Sequence, residues 1–229
     1  MLYHLINLLD FCFKLNNLHF KEFTEKLRNN LAKGLPGEDA HKLVLPPNRR
    51  SSDLSQLDQN LVKKAAVLAL VENHDNEPHV ILTLRSIYNG THSGQVSFPG
   101  GKREEQDVDF LGTALRETEE EIGIKREDIE VLGSLSPLYI PPSNFLVYPF
   151  VGVSQKVLNK IPQEKEVHSI HSIPLALLFA KDTLGEISIE NASGSSMNVP
   201  AFRINGLKIW GATAMMLAEL KQVVTLSPS

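Results

Sequence analysis

The residues of this chain best equipped for chemistry lie in one short stretch, 116–124, which reads Arg-Glu-Thr-Glu-Glu-Glu-Ile-Gly-Ile. At about 100° per residue, Glu117, Glu120 and Glu121 crowd one face of a helix, whereas Glu119 falls on the opposite flank. Like charges at this spacing repel, and they sit near the helix C-terminus, where the dipole disfavours them. A cation held between the carboxylates removes the conflict. Oxygen ligands of this kind select a hard divalent ion, magnesium or manganese. A lone run of glutamates is more often a solvated face. Here the run follows Pro99-Gly100-Gly101, and glycines let backbone, including a carbonyl of Gly101, come close to a bound group. Arg116 has two readings: it orients Glu117 through a bidentate bond, or it decorates the surface.

The element that must carry these acids is a helix over 107–124. Leu111, Leu115, Thr118 and Ile122 form its core face, Asp107 or Asp109 can cap its start, and Gly123 suits a left-handed end. Upstream, the apolar runs 65–71 and 79–85 read as strands joined by a turn at 73–78, followed by a Gly-rich segment at 90–102. Downstream come strands at 129–135, 145–153, 186–190 and 199–204, a Pro-rich loop at 139–144, a short helix at 172–180 and a last helix at 211–223. This irregular alternation predicts an α/β protein with a mixed sheet and helices packed on it.

The N-terminal region has a separate texture. Phe20, Phe23, Leu27 and Leu31 recur at helical spacing within 15–35, and Gly34, Pro36 and Gly37 end that helix. Residues 45–56 read as a connector. The expected division is therefore an N-terminal helical extension with its connector, 1–60, and a main domain, 61–229. The apolar start, 1–13, has no basic flank or cleavage site and is too short to span a bilayer, so it reads as a docking helix or as the product of an upstream start codon. The chain has 229 residues and a formal net charge of −4 without a basic stripe, which argues against nucleic-acid binding. Its single cysteine, Cys12, allows no intramolecular disulfide and suits the cytoplasm.

The segment 101–124 resembles the Nudix box, with Gly101 at its first position and residues 116–124 at its last nine. Asp107 stands where that box has Glu, Thr118 replaces an aliphatic residue, and Arg116 lies one residue further from Gly101. Residues 82–102 further resemble the coenzyme A pyrophosphatases, through Leu82, Thr83, Arg85, Ser86, His92, Gly94, Gln95, Val96, Phe98 and 99–101. That group shares the offset and the early Asp; Asn89-Gly90 here replaces its Leu-Arg. The motifs at 148–152, 166–167, 173–175 and 210–214 extend the match over most of 61–220.

The resemblance implies the Nudix fold, an α/β/α sandwich with the N-terminal helical extension added. It implies hydrolysis of coenzyme A, a small-molecule nucleotide substrate, to 3′,5′-ADP and 4′-phosphopantetheine. Magnesium or manganese is then held by Glu117, Glu120 and Glu121 with Gly101. The general base stays open among Glu120, Glu164 and Glu166. Arg85 either binds a substrate phosphate or pairs with a carboxylate as a structural ion pair, Ser86 is expected at the substrate, and Tyr139 and Ser143 along the pantetheine channel. Asp107 receives no role. No nucleic-acid or membrane partner is expected, and the N-terminal helix suggests a homodimer. The rival readings are a Nudix hydrolase of ADP-ribose or another nucleoside diphosphate derivative, and a non-catalytic nucleotide-binding Nudix domain.

Overall fold

The apolar run at 65–71 lies inside strand β1 (Lys63–His74), and alternate residues serve opposite faces. Ala66, Leu68 and Leu70 enter one hydrophobic cluster, and Ala65, Ala69 and Val71 another. A strand buried on both faces needs this continuous apolar texture and must be covered by helices on both sides. The computed structural model describes residues 19–47, 49, 54–58, 60–87, 92–190, 194 and 196–226. The docking helix expected at 1–13, Asn89-Gly90 and part of the connector lie outside the described residues.

β1 turns back into β2 (Glu77–Arg85) through Asp75 and Asn76, both at positive φ, 49° and 72°. Such a two-residue turn matches the twist of an antiparallel pair. β1 also pairs in parallel with β7 (Phe145–Ser154), in register from Lys63↔Phe145 to Glu72↔Ser154. Around these three strands lie β3 (Val96–Ser97), β4 (Gly100–Lys102), β5 (Glu130–Ser134), β6 (Leu138–Ile140) and β8 (Val167–Pro174). Together they form a mixed eight-stranded sheet among the described residues. A second, antiparallel sheet joins β9 (Leu184–Glu190), β10 (Ser196–Ile204) and β11 (Leu207–Trp210).

One face of the large sheet is covered by α3 (Phe110–Ile122), through Ala114, Leu115 and Ile122. The other is covered by α1 (Phe20–Lys33) and α5 (Gly211–Thr225). The result is the α/β/α sandwich expected from the resemblance. One element differs from expectation. Residues 167–174 form β8, which pairs with β2 from His79↔Pro174 to Arg85↔Val167, and only Leu175–Leu178 is helical, as α4. Ser and His occupy half of β8 and masked its strand pattern, and Pro174 precedes the helix rather than opening it.

The N-terminal helix is not peripheral. Phe20, Phe23 and Leu27 are each 1% exposed and belong to the same cluster as Val80, Leu82, Val151 and Leu220. Asn30 Nδ2 donates to the carbonyls of Val223 and Leu226 and so closes the end of α5. Next comes the turn α2 (Glu38–His41), tied to a fully buried carboxylate in α5. Glu219 accepts from Gly37 N–H, His41 Nε2 and the N–H and Oγ of Ser136. Burial alone pushes the Glu219 carboxyl up, but His41 and Ser136 outweigh it and hold it below the usual range. A carboxylate depressed in the folded state contributes stability that is present above the unfolded pKa, about 4.3, and lost as pH falls through the folded value. We expect wild type to exceed Glu219→Gln in thermal stability at neutral pH, with the gap closing below about pH 4.3. Melting curves of both proteins between pH 7 and pH 3 check this, and a gap that widens in acid would contradict it.

Candidate metal centre

Helix α3 is fixed at both ends as its sequence suggests. Asp109 Oδ1 accepts from Gly112 N–H at 2.6 Å, and Gly123 takes the left-handed conformation with φ 72°. The helix lies against β1 and β4, with Thr118 and Ile122 fully buried. That contact turns Glu121 inward, 2% exposed, and leaves Glu117 half inward beside it. Glu121 Oε2 accepts from Gly100 N–H at 3.1 Å.

The two glycines of β4 are required by space. A Cβ on Gly100, whose φ is 146°, would lie 2.4 Å from the Ala66 carbonyl oxygen. One on Gly101 would lie 2.6 Å from the Glu117 carboxylate. Backbone therefore passes directly under the acids, as the Pro-Gly-Gly sequence implies.

A third acid arrives from outside the helix. Residues 155–166 link β7 to β8 and end at Glu166. Ser86 holds that end: its N–H donates to the Glu166 carbonyl at 2.9 Å and its Oγ to the Glu164 carbonyl at 3.1 Å. Carboxylate oxygens of Glu117, Glu121 and Glu166 all lie within 4.8 Å of one another. Arg85 follows a bulge in β2 and places Nη1 3.4 Å from Glu121 Oε1. Its Nε is buried without a partner among the described residues.

Glu120 takes a different position. It is 57% exposed and its Oε2 accepts from Arg116 Nη1 at 2.9 Å, outside the acid cluster. Arg116 also donates to Glu117 Oε1 at 3.1 Å and to the Lys102 carbonyl, and it grips Asp107 through Nε at 2.8 Å and Nη2 at 2.9 Å. Asp107, expected from the sequence at most as a helix cap and given no role at the site, is 7% exposed and further accepts from Glu104 N–H and Thr113 Oγ1. Arg116 beside it holds its carboxyl well below the usual range. The loop 103–109 absorbs the extra residue, so Asp107 still reaches Arg116. The signal available beforehand was an acid nine residues ahead of an arginine with a helix start between them.

Tyr139 lies in β6, paired with Leu146 of β7, and Ser143 in the turn that joins the two strands. Tyr139 Oη donates to Asn144 Oδ1, and Ser143 Oγ is buried without a partner among the described residues. His92 and His171 pair locally with Gln95 and Ser169. Phe202 is core, and Trp210 packs on the small-sheet cluster.

The electrostatics of the cluster call for positive charge. Burial pushes the Glu121 carboxyl up to about 7, with the Gly100 N–H and Arg85 pulling it back only in part. Burial also raises Glu117, against Arg116. Two poorly solvated carboxylates, a third beside them and an adjacent glycine backbone make a hard, all-oxygen donor set, and these residues fit a divalent ion of the magnesium or manganese kind.

A family model described as NUDIX domain matches residues 62–190. Nudix hydrolase 15, mitochondrial, of Arabidopsis thaliana is 37% identical over 173 residues, which are 72% of this chain and 60% of that protein. The similar Nudix hydrolase 22, chloroplastic, of the same plant is matched over 57% of its length. The chain thus spans well under two thirds of these two plant relatives. A Photorhabdus laumondii protein named Uncharacterized Nudix hydrolase NudL is 33% identical, with 78% of this chain and 90% of that protein covered. Among solved structures, a Nudix hydrolase from M. smegmatis, RenU, superposes with a TM-score of 0.51 at 15% identity. It covers 73% of this chain and 88% of its own, a likeness of fold. Among the described residues no helix is long and apolar enough to cross a membrane.

Proposed function

The chain belongs to the Nudix family, and from that premise we propose that it is a metal-dependent pyrophosphohydrolase that cleaves coenzyme A or its derivatives to 3′,5′-ADP and 4′-phosphopantetheine or its acyl form. The observation that carries the reading is the convergence of Glu117, Glu121 and Glu166 beside the glycines of β4. A non-catalytic domain would have no need to keep Glu117 and Glu121 poorly solvated and a third carboxylate close beside them.

Glu117, Glu121 and one oxygen of Glu166 would hold the ion, with the Gly101 carbonyl as a further donor. A divalent ion bound there neutralises phosphate oxygens and lowers the pKa of water. Arg116, locked by Asp107, is a positioning residue that fixes the Glu117 carboxylate. The unpartnered Nε of Arg85 supports donation to a diphosphate oxygen. Ser86 acts by holding the backbone of 164–166. The other oxygen of Glu166 takes the proton from the attacking water. Glu120, paired with Arg116 and open to solvent, is the weaker candidate for that step. Tyr139 and Ser143 remain assigned to the pantetheine end of the substrate.

Substrate choice rests on the resemblance of residues 82–102 to the coenzyme A group. We expect kcat/KM for coenzyme A to exceed that for ADP-ribose by roughly two orders of magnitude, the scale that a few substrate contacts can supply. Incubation with a panel of diphosphates and magnesium, with identification of the products, checks this. Equal rates on both substrates, or preference for ADP-ribose, would reject coenzyme A and keep the Nudix chemistry. A cytoplasmic location belongs to the same proposal, supported by the single cysteine. Recovery from an organelle on cell fractionation would overturn it.

A further inference from the structure

Glu72 is a fully buried carboxylate in β1 that the proposed chemistry does not use. It lies on the α3 face of the sheet, opposite His79 in β2. From within the sheet it receives Ser172 Oγ at 2.7 Å and His74 Nε2 at 2.9 Å, with the His74 ring stacked on His79 at 4.2 Å. Its other partners come from the 155–166 segment. Leu158 N–H donates to Oε2 at 2.8 Å, and Lys160 Nζ sits 2.6 and 2.8 Å from the two oxygens. Burial alone would raise this carboxyl, but Lys160, Leu158, Ser172 and His74 together hold it below the usual range, so the pair with Lys160 is ionic.

The 155–166 segment carries Glu166 to the acid cluster and has no helix or strand of its own. Leu158 is its one buried residue and Lys160 its one half-buried residue; the others are exposed. Its footholds in the interior are therefore the Leu158 side chain, packed with Ala66, Leu68 and Leu70, and the polar bonds that Leu158 N–H and Lys160 make to Glu72. Beyond Lys160 the segment follows the last turn of α3. Ile161 N–H donates to the Ile122 carbonyl and Gln163 N–H to the Glu121 carbonyl, each at 2.9 Å. Those bonds satisfy carbonyls that a helix end otherwise leaves to water, so water can replace them. Removing one partner of the Lys160–Glu72 pair instead leaves an uncompensated charge at a site that water reaches poorly.

We propose that Glu72 is a positioning residue for the metal centre: by anchoring Leu158 and Lys160 it fixes the 155–166 segment so that Glu166 closes the cluster with Glu117 and Glu121. This rests on the reading of Glu166 as part of that centre. Residues behind a metal's direct ligands typically change its affinity about 10–100-fold when altered.

The test uses the full chain, freed of metal, and manganese alone, followed by calorimetry. Glu72→Gln and Lys160→Met remove opposite charges. A long-range field effect would move manganese affinity in opposite directions, whereas loss of the tether weakens it in both. We expect a loss of about tenfold or more in each. In a Glu166→Gln background the further loss from either change should vanish. If Glu166→Gln alone leaves manganese affinity intact, the reading of Glu166 fails. If Glu166→Gln weakens binding but the tether variants do not, or their effects persist in full on top of it, Glu72 is not a positioning residue. Far-UV circular dichroism of the metal-free proteins confirms folding. Lys160→Met keeps its aliphatic stem at a site 17% exposed, so it decides the matter if Glu72→Gln does not fold.

Discussion

Glu121→Gln is expected to lower kcat by about three orders of magnitude or more at saturating coenzyme A and magnesium, equivalent to roughly 4 kcal/mol of lost transition-state stabilisation. The amide keeps the shape of the side chain and can still accept from Gly100 N–H, but it has no charge with which to hold a divalent ion. Glu117→Gln should behave alike. The metal-free proteins should be no less stable than wild type, because burial already penalises the charged form of both groups. Glu119→Gln, at an exposed position, should change little in either respect. The measurement pairs kcat across a magnesium titration with thermal unfolding of the metal-free variants. Equal, small effects at Glu117, Glu119 and Glu121 would mean that the acids are only a solvated face.

The second large effect concerns the N-terminal helix. The sequence suggested a boundary near residue 60, and the family match begins at residue 62. Phe20, Phe23 and Leu27 nevertheless fill the main core, and Gly37 and His41 satisfy the buried Glu219. We propose that residues 20–45 fold as part of the same unit as the sheet. Phe23→Ala should then cost about 3–5 kcal/mol, a large part of the 5–15 kcal/mol that holds a typical domain together. Deletion of residues 1–33 should prevent stable folding, since it also uncovers the core face of α5 and leaves Asn30's carbonyl partners unpaired. The helix face that suggested a homodimer is thereby occupied within one chain. Urea denaturation of Phe23→Ala, and circular dichroism of the truncated chain, check the expectation. A truncated protein that melts with wild-type cooperativity and at the wild-type temperature would establish residues 1–33 as a separate appendage.

The acids of the centre were legible because helical periodicity is local. Spacing alone puts Glu117 and Glu121 about 40° apart around the helix axis and sends Glu119 away. Asp109 and Gly123 likewise mark the helix ends through bonds made within a few residues. The Pro-Gly-Gly loop announces close approach because only a side chain of hydrogen fits there. These features need no knowledge of the rest of the chain.

What tertiary structure decided is which acids face each other. Glu120 shares the helical face in projection, yet the sheet packs on the Glu121 side, so Glu121 is buried and Glu120 turns to solvent and Arg116. Glu166 stands 45 residues beyond Glu121, and only the resemblance of the Glu-Val pair at 166–167 set it apart from Glu164; Ser86 and the path of the 155–166 segment bring its side chain in. Asp107 gained its role because a loop took up one extra residue, which exact spacing cannot anticipate. The strand 167–174 was hidden because its Ser and His fall in adjacent pairs, 168–169 and 171–172, that break the alternation, and they are satisfied by partners from other strands and from each other, Ser172 by Glu72 and His171 by Ser169. Helical and turn signals travel a few residues along the chain. Burial, and with it the choice of carboxylates that need a cation, depends on segments that meet only when the sandwich closes.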